Sequence, residues 1–194
     1  LLNTNVKFFA KFVYKFIKFK NLRDVIILGN SLGGHVGLIF SKLYPKLIKG
    51  LVLTGSSGLY ENSMGDSYPK REDYNYIKER TEAVFFDPKI ATKKIVDEVY
   101  ETVNDRKKLI KILAMAKSAI RHNMSNDLPN ILAETAIIWG ENDSVTPPEV
   151  ADEFKKLLPN SQLFWIENCG HAPMMEHPEK FNSVMNSWLK EKKL

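Results

Sequence analysis

Cys169 is the only cysteine in the chain, so no internal disulfide can form and nothing argues for an oxidising compartment. No apolar run approaches the roughly 20 residues of a membrane-spanning helix, so stable membrane insertion is not expected. The chain does not open on a charged segment, apolar core and small-residue cleavage site, and a cytoplasmic setting follows as the expectation. Zinc-finger, basic-zipper and RNA-recognition signatures are missing, as are internal repeats and low-complexity tracts. The formal charge of +5 is spread over the first helix, the middle and the C-terminus. That dispersion describes a solvated surface and excludes a nucleic-acid partner. No His, Cys, Asp and Glu group has metal-ligand spacing and no glycine loop fits a phosphate, so neither metal nor cofactor is expected.

What remains is an ordinary globular composition, 44% hydrophobic and 26% charged, enough for one real core. Residues 6–20 place Val6, Phe9, Val13 and Phe16 at helical spacing against Lys7, Lys11, Lys15 and Lys18, predicting an amphipathic helix. Phe8, Phe12 and Phe19 widen its apolar face, a pattern shared with membrane-surface helices; packing on a sheet is the stronger reading. Val25 to Leu28 follows as a short branched run, expected to be a strand buried on both faces. Leu32 to Tyr44 reads as a helix and Leu51 to Thr54 as a second strand, together a right-handed crossover. Residues 57–129 break the pattern. Polar and aromatic loop residues, Tyr60, Tyr68, Tyr74 and Tyr76 among them, precede one helix started by Asp87-Pro88 and a second from about Asp105 to Ile120. Strands at Ala136 to Trp139 and Leu163 to Ile166 then alternate with helices at Pro147 to Leu158 and Pro178 to Lys190, the last with Phe181, Val184, Met185 and Trp188 inward. The alternation predicts an α/β protein with a mostly parallel sheet.

Gly29-Asn30-Ser31-Leu32-Gly33 fits G-x-S-x-G between a strand and a helix, the context that gives the motif meaning. There a serine sits in a strained turn at the end of a strand, with a helix N-terminus behind it. A serine hydroxyl needs a base to take its proton, and the chain offers four histidines. His35 and His122 lie in helical contexts, and His177 precedes Pro178 at the start of the last helix. His171 stands in a loop directly after a strand, where rigid scaffolding aims functional side chains. Asp143, in the loop after the third strand, lies between Ser31 and His171 in chain order and is the candidate acid, with Glu141 as its alternative. Cys169 is read as a small buried hydrophobe.

The segments GNSLGGH, WGENDSVTPP and GHAPMMEHPEKFN resemble the three signature segments of the alpha/beta-hydrolase family, in family order. The resemblance covers nearly the whole chain outside residues 57–129. It implies a partial alpha/beta-hydrolase fold, with a core of 1–56 and 130–194 and a helical cap of 57–129. It also implies acyl transfer to water through Ser31, Asp143 and His171, with the Leu32 amide in the oxyanion hole. A small-molecule ester, thioester, amide or carbon-carbon substrate would be held by Asn30, Tyr60, Arg121 and Val145. The Thr54 to Gly58 segment resembles hydrolases of ring-cleavage products, although Ala172 stands where those enzymes often carry tryptophan. The competing expectations are a non-catalytic small-ligand binder of the same fold or an inactive fragment, and the oligomeric state is left open.

The family places several strands before the amphipathic helix, whereas this chain opens at Leu1 without an initiator methionine. The expectation is therefore a C-terminal part of a longer protein, lacking the second oxyanion donor. An open apolar strand edge would make that part poorly soluble or prone to associate.

Overall fold

The computed structural model describes residues 5–62 and 70–194; Leu1 and Tyr68 lie outside them. Four parallel strands, β1 (Val25–Asn30), β2 (Ile48–Thr54), β3 (Glu134–Gly140) and β4 (Ser161–Ile166), form one sheet in the order 1-2-3-4. Their register runs Leu28 to Val52, Val52 to Ala136 and Ala136 to Gln162. Alternate side chains of the central strands face opposite layers, so both faces need cover. On one face, Leu51, Leu53, Ile137 and Trp139 pack with α1 (Val6–Phe19), α2 (Leu32–Leu43) and α6 (Pro148–Leu157). On the other, Val52, Ala136 and Ile138 pack against Phe181 and Trp188 of α8 (Pro178–Lys192).

β1 departs from the expectation. Ile26 and Leu28 are 39% and 44% exposed, because β1 is an edge strand that pairs only with β2 among the described residues. α1 is rotated too: Val6, Ala10 and Ile17 are buried, while Phe16 stays half exposed beside the outward-facing Phe8, Phe12 and Phe19. Between β2 and β3 the described residues form three α-helices, α3 (Tyr74–Glu82), α4 (Lys93–Asn104) and α5 (Arg106–Arg121). They cluster around Ile77, Val103 and Leu109. α3 occupies a stretch expected to be loop; the Asp73 carboxylate caps it by accepting from the amides of Asn75 and Tyr76. Asp87-Pro88 starts only a single tight turn, Pro88–Ile90. α4 begins at Lys93, where the Thr92 hydroxyl accepts from Ile95 N, so Ile90 is not on that helix.

Candidate active site

β1 runs directly into Ser31, whose backbone sits at φ 52°, ψ −120°, a strained conformation for a residue with a side chain. Three main-chain hydrogen bonds hold it there. Ser31 N donates to Thr54 O at 3.0 Å, and Ser31 O accepts from Ser57 N at 3.1 Å and His35 N at 3.3 Å. Leu32 opens α2, so its N–H has no acceptor within that helix and belongs to the positive end of the helix dipole.

Two further loops leave the same edge of the sheet. After β3, the Asp143 carboxylate is enclosed by its own turn: Oδ1 accepts from the amides of Val145 at 2.8 Å and Thr146 at 2.9 Å. Oδ2 accepts from the Thr146 hydroxyl at 2.8 Å and pairs with His171 Nδ1 at 2.8 Å. Trp139 fastens the base of this loop, its Nε1 donating to Thr146 O at 2.9 Å. Both Asp143 and His171 are buried. With Nδ1 facing a carboxylate, the imidazole presents Nε2 as its free lone pair. Glu141 is exposed and does not take part.

The His171 ring packs directly against Gly55, the first residue after β2, which has φ +47°. A Cβ there would stand 2.7 Å from Nδ1 and 2.8 Å from Cε1, so any side chain at residue 55 displaces the ring. Asn30 adds a second tie, its side-chain amide donating to His171 O at 2.9 Å and to Thr54 O at 3.1 Å. That amide therefore joins the serine turn to the histidine loop. The Ser31 hydroxyl makes no hydrogen bond to the ring among the described residues.

Of the remaining anticipated contacts, Val145 is buried and holds Asp143 through its amide, while its carbonyl accepts from Asn62 N. Tyr60 is exposed, with its hydroxyl on Asn62 Oδ1. Arg121 lines a cleft of about 530 Å³ between the start of α1 and α5, with Lys7, Lys117 and His122. None of Ser31, Asp143 or His171 lines that cleft.

Sequence reasoning missed Thr146 and Glu176. The Thr146 hydroxyl touches both the carboxylate and, at 3.3 Å, His171 Nδ1. A hydroxyl three residues after a turn aspartate was the available signal. Burial first, and then the Glu176 carboxylate, push the Cys169 thiol up to about 12, so it stays protonated. His177 stands at the N-cap position of α8, but its ring bonds Asn168 O rather than the helix amides. His35 and His122 meet through Nε2 and Nδ1 at 3.0 Å, so each has a partner outside the Ser31 loops. Among the described residues no three metal-ligating side chains converge, and no helix is long and apolar enough to cross a membrane.

A sequence profile of the alpha/beta hydrolase fold matches residues 3–178. The chain belongs to the alpha/beta hydrolase family. As an alpha/beta hydrolase it is 30% identical over 188 residues to 2-hydroxy-6-oxo-6-(2'-aminophenyl)hexa-2,4-dienoic acid hydrolase of Metapseudomonas resinovorans, covering 91% of this chain and 64% of that protein. It is 25% identical over 178 residues to lipase 1 of Psychrobacter immobilis, covering 79% and 51%. The chain thus spans between about half and two thirds of the length of these curated relatives. Among solved structures it resembles MGS-MChE2, an alpha/beta hydrolase enzyme from lagoon-sediment metagenome of Mar Chica, Morocco. The identity is 49% and the TM-score 0.79, over 100% of this chain and 73% of that one.

Proposed function

We propose that the chain carries the catalytic residues of a serine hydrolase acting on a small or medium acyl substrate. The observation that supports this most is the buried 2.8 Å pair of Asp143 and His171, on the same sheet edge as a serine in a strained turn. In this reading Ser31 Oγ attacks the acyl carbon as His171 Nε2 takes its proton. Asp143 holds the ring tautomer and balances the imidazolium, and the Leu32 amide donates to the developing oxyanion. His171 then passes the proton to the leaving group, and water, deprotonated by the same ring, releases the acid and frees Ser31. The bond cleaved is an ester, thioester, amide or carbon-carbon bond. The range reflects relatives that include a lipase and a hydrolase of a dienoic acid.

In the same reading, residues 57–129 form a cap whose underside selects the substrate. The sole cysteine, buried and protonated, fits a reducing cytoplasm. A lipid-interface variant has its own observation: Phe8, Phe12, Phe16 and Phe19 are exposed on α1 beside its row of lysines. Activity rising sharply above the substrate's aggregation threshold supports that variant, and monomer-driven kinetics remove it.

A fluorophosphonate probe tests the central reading on the purified chain. Labelling that Ser31→Ala abolishes is the expected result. Folded protein that takes no label overturns it and makes ligand binding without turnover the better reading.

A further inference from the structure

The two loops that carry Asp143 and His171 are both gripped by one short stretch of the β2–β3 connection, Ala83 to Phe86, just after α3. Ser144 Oγ of the aspartate loop donates to Ala83 O at 3.1 Å. His171 N itself donates to Val84 O at 3.0 Å. Phe86 N donates at 2.7 Å to Glu176 Oε2, and the other carboxylate oxygen accepts from Gly170 N at 2.8 Å. Glu176 ends α7 (Pro173–Glu176), the single turn that follows His171, and so reaches back over the loop it terminates. The fit is close. A Cβ on Gly170 would stand 2.7 Å from Val84 O and 2.9 Å from Phe86 N, so no side chain fits between strap and loop.

We propose that Glu176 is a positioning residue, its carboxylate latching the His171 loop to the Ala83–Phe86 strap so that the seat of the base depends on where the β2–β3 connection lies. The inference rests on the reading of His171 as base. A carboxylate suits the post because it offers two acceptors to two main-chain donors and carries none of its own. Glutamine has nearly the same shape, yet its NH2 group faces one of those donors and one bond is lost. Cys169 adds a consequence: its Sγ lies 3.7 Å from Glu176 Oε1, so the carboxylate that holds the loop adds to the burial that chiefly keeps the thiol protonated.

The test compares wild-type protein with Glu176→Gln by amide hydrogen exchange, followed residue by residue, and by steady-state kinetics on a p-nitrophenyl ester. Expected is a joint loss of protection at Phe86, Gly170 and His171, with protection in β3 and β4 unchanged. With it, kcat falls on the order of 10- to 100-fold while KM stays within about twofold, as a displaced catalytic group requires. Unchanged protection at His171 overturns the proposal whether or not the protein turns over ester. Normal protection loss with unchanged kcat also overturns it, since the latch would then not position the base. Failure of the serine-hydrolase reading looks different: the wild type is inactive, and the exchange result alone decides the latch.

Discussion

Acidification should weaken this fold through one buried ring. His35 is fully buried in α2, and its environment lowers its proton affinity from 6.5 to about 4, chiefly by burial and then by the neighbouring His122. The geometry shows why. Its Nε2 faces His122 Nδ1 at 3.0 Å, while its own Nδ1 has no partner among the described residues. The inexpensive arrangement is a neutral ring donating from Nε2 and leaving a bare lone pair at Nδ1; protonation would place an unpaired buried N–H there. His122 lies at the end of α5 and is held low as well, by burial first and by Lys7, with Asp127 opposing.

The unfolded chain protonates His35 near 6.5 and the folded chain only near 4, so across that window the unfolded state binds the extra proton. The contribution is fully present above pH 6.5 and is lost as pH falls towards 4. At about 1.4 kcal/mol for each tenfold in proton affinity, the whole loss is roughly 3 kcal/mol, a large share of a typical 5–15 kcal/mol stability. Urea unfolding at a series of pH values, compared with His35→Phe, isolates it. Groups other than its partner His122 titrate alike in both proteins, and the difference should change by roughly 1 kcal/mol per pH unit below about pH 6. A difference independent of pH, or a His35 ring resonance titrating near 6.5, refutes the reasoning.

Thr146→Val keeps the shape of the side chain and both main-chain donors to Asp143 Oδ1 but strips one donor from Oδ2; it should cost about 1.5–3 kcal/mol in urea unfolding and slow Ser31 labelling without abolishing it. Labelling at the wild-type rate would show that hydroxyl to be idle. Gly34→Ala should destabilise the serine turn by about 1–3 kcal/mol, since its Cβ would lie 2.7 Å from Ser56 Cβ, whereas Gly33→Ala meets nothing within 4 Å and should change stability little. Equal losses in the two variants, read from the same unfolding curves, would contradict this account of the turn.

Much of this arrangement was legible because it is local. Four apolar runs separated by helical patterns give four strands, and strand-turn-helix context around Ser31 singles out one serine. Asp143 and His171 follow from their position at strand ends, and the side-chain pair found there needs no residue outside the loops already suspected. Helix α3 was hidden for an equally local reason: YNYIKERTE buries only Ile77 and Thr81, so its periodicity is carried by two residues and its capping Asp73 is the better signal. Likewise Asp87-Pro88 has the chemistry of a helix start but is followed by a helix whose cap is Thr92, five residues on.

What stayed hidden is non-local. The run VIIL in β1 has no alternation, so its residues state that they can be buried and not whether a neighbour is there; exposure of Ile26 and Leu28 follows from the strand's place at the sheet edge. The same holds for Phe12 and Leu28, which border an open groove of about 380 Å³ together with Leu32 and Gly33 of the serine turn. Apolar surface beside the Leu32 amide is surface that a further strand or a substrate would cover, and its burial is worth about 25 cal/mol per Å² to either. Glu176 carries the point furthest. Its letter in the sequence is one more acidic residue two positions before a proline, yet in space it takes one donor from the histidine loop and another from a strap 90 residues away. The chemistry of a site is thus written at its strand ends, while the constraint that sets its geometry comes from chain segments whose meeting only the fold decides.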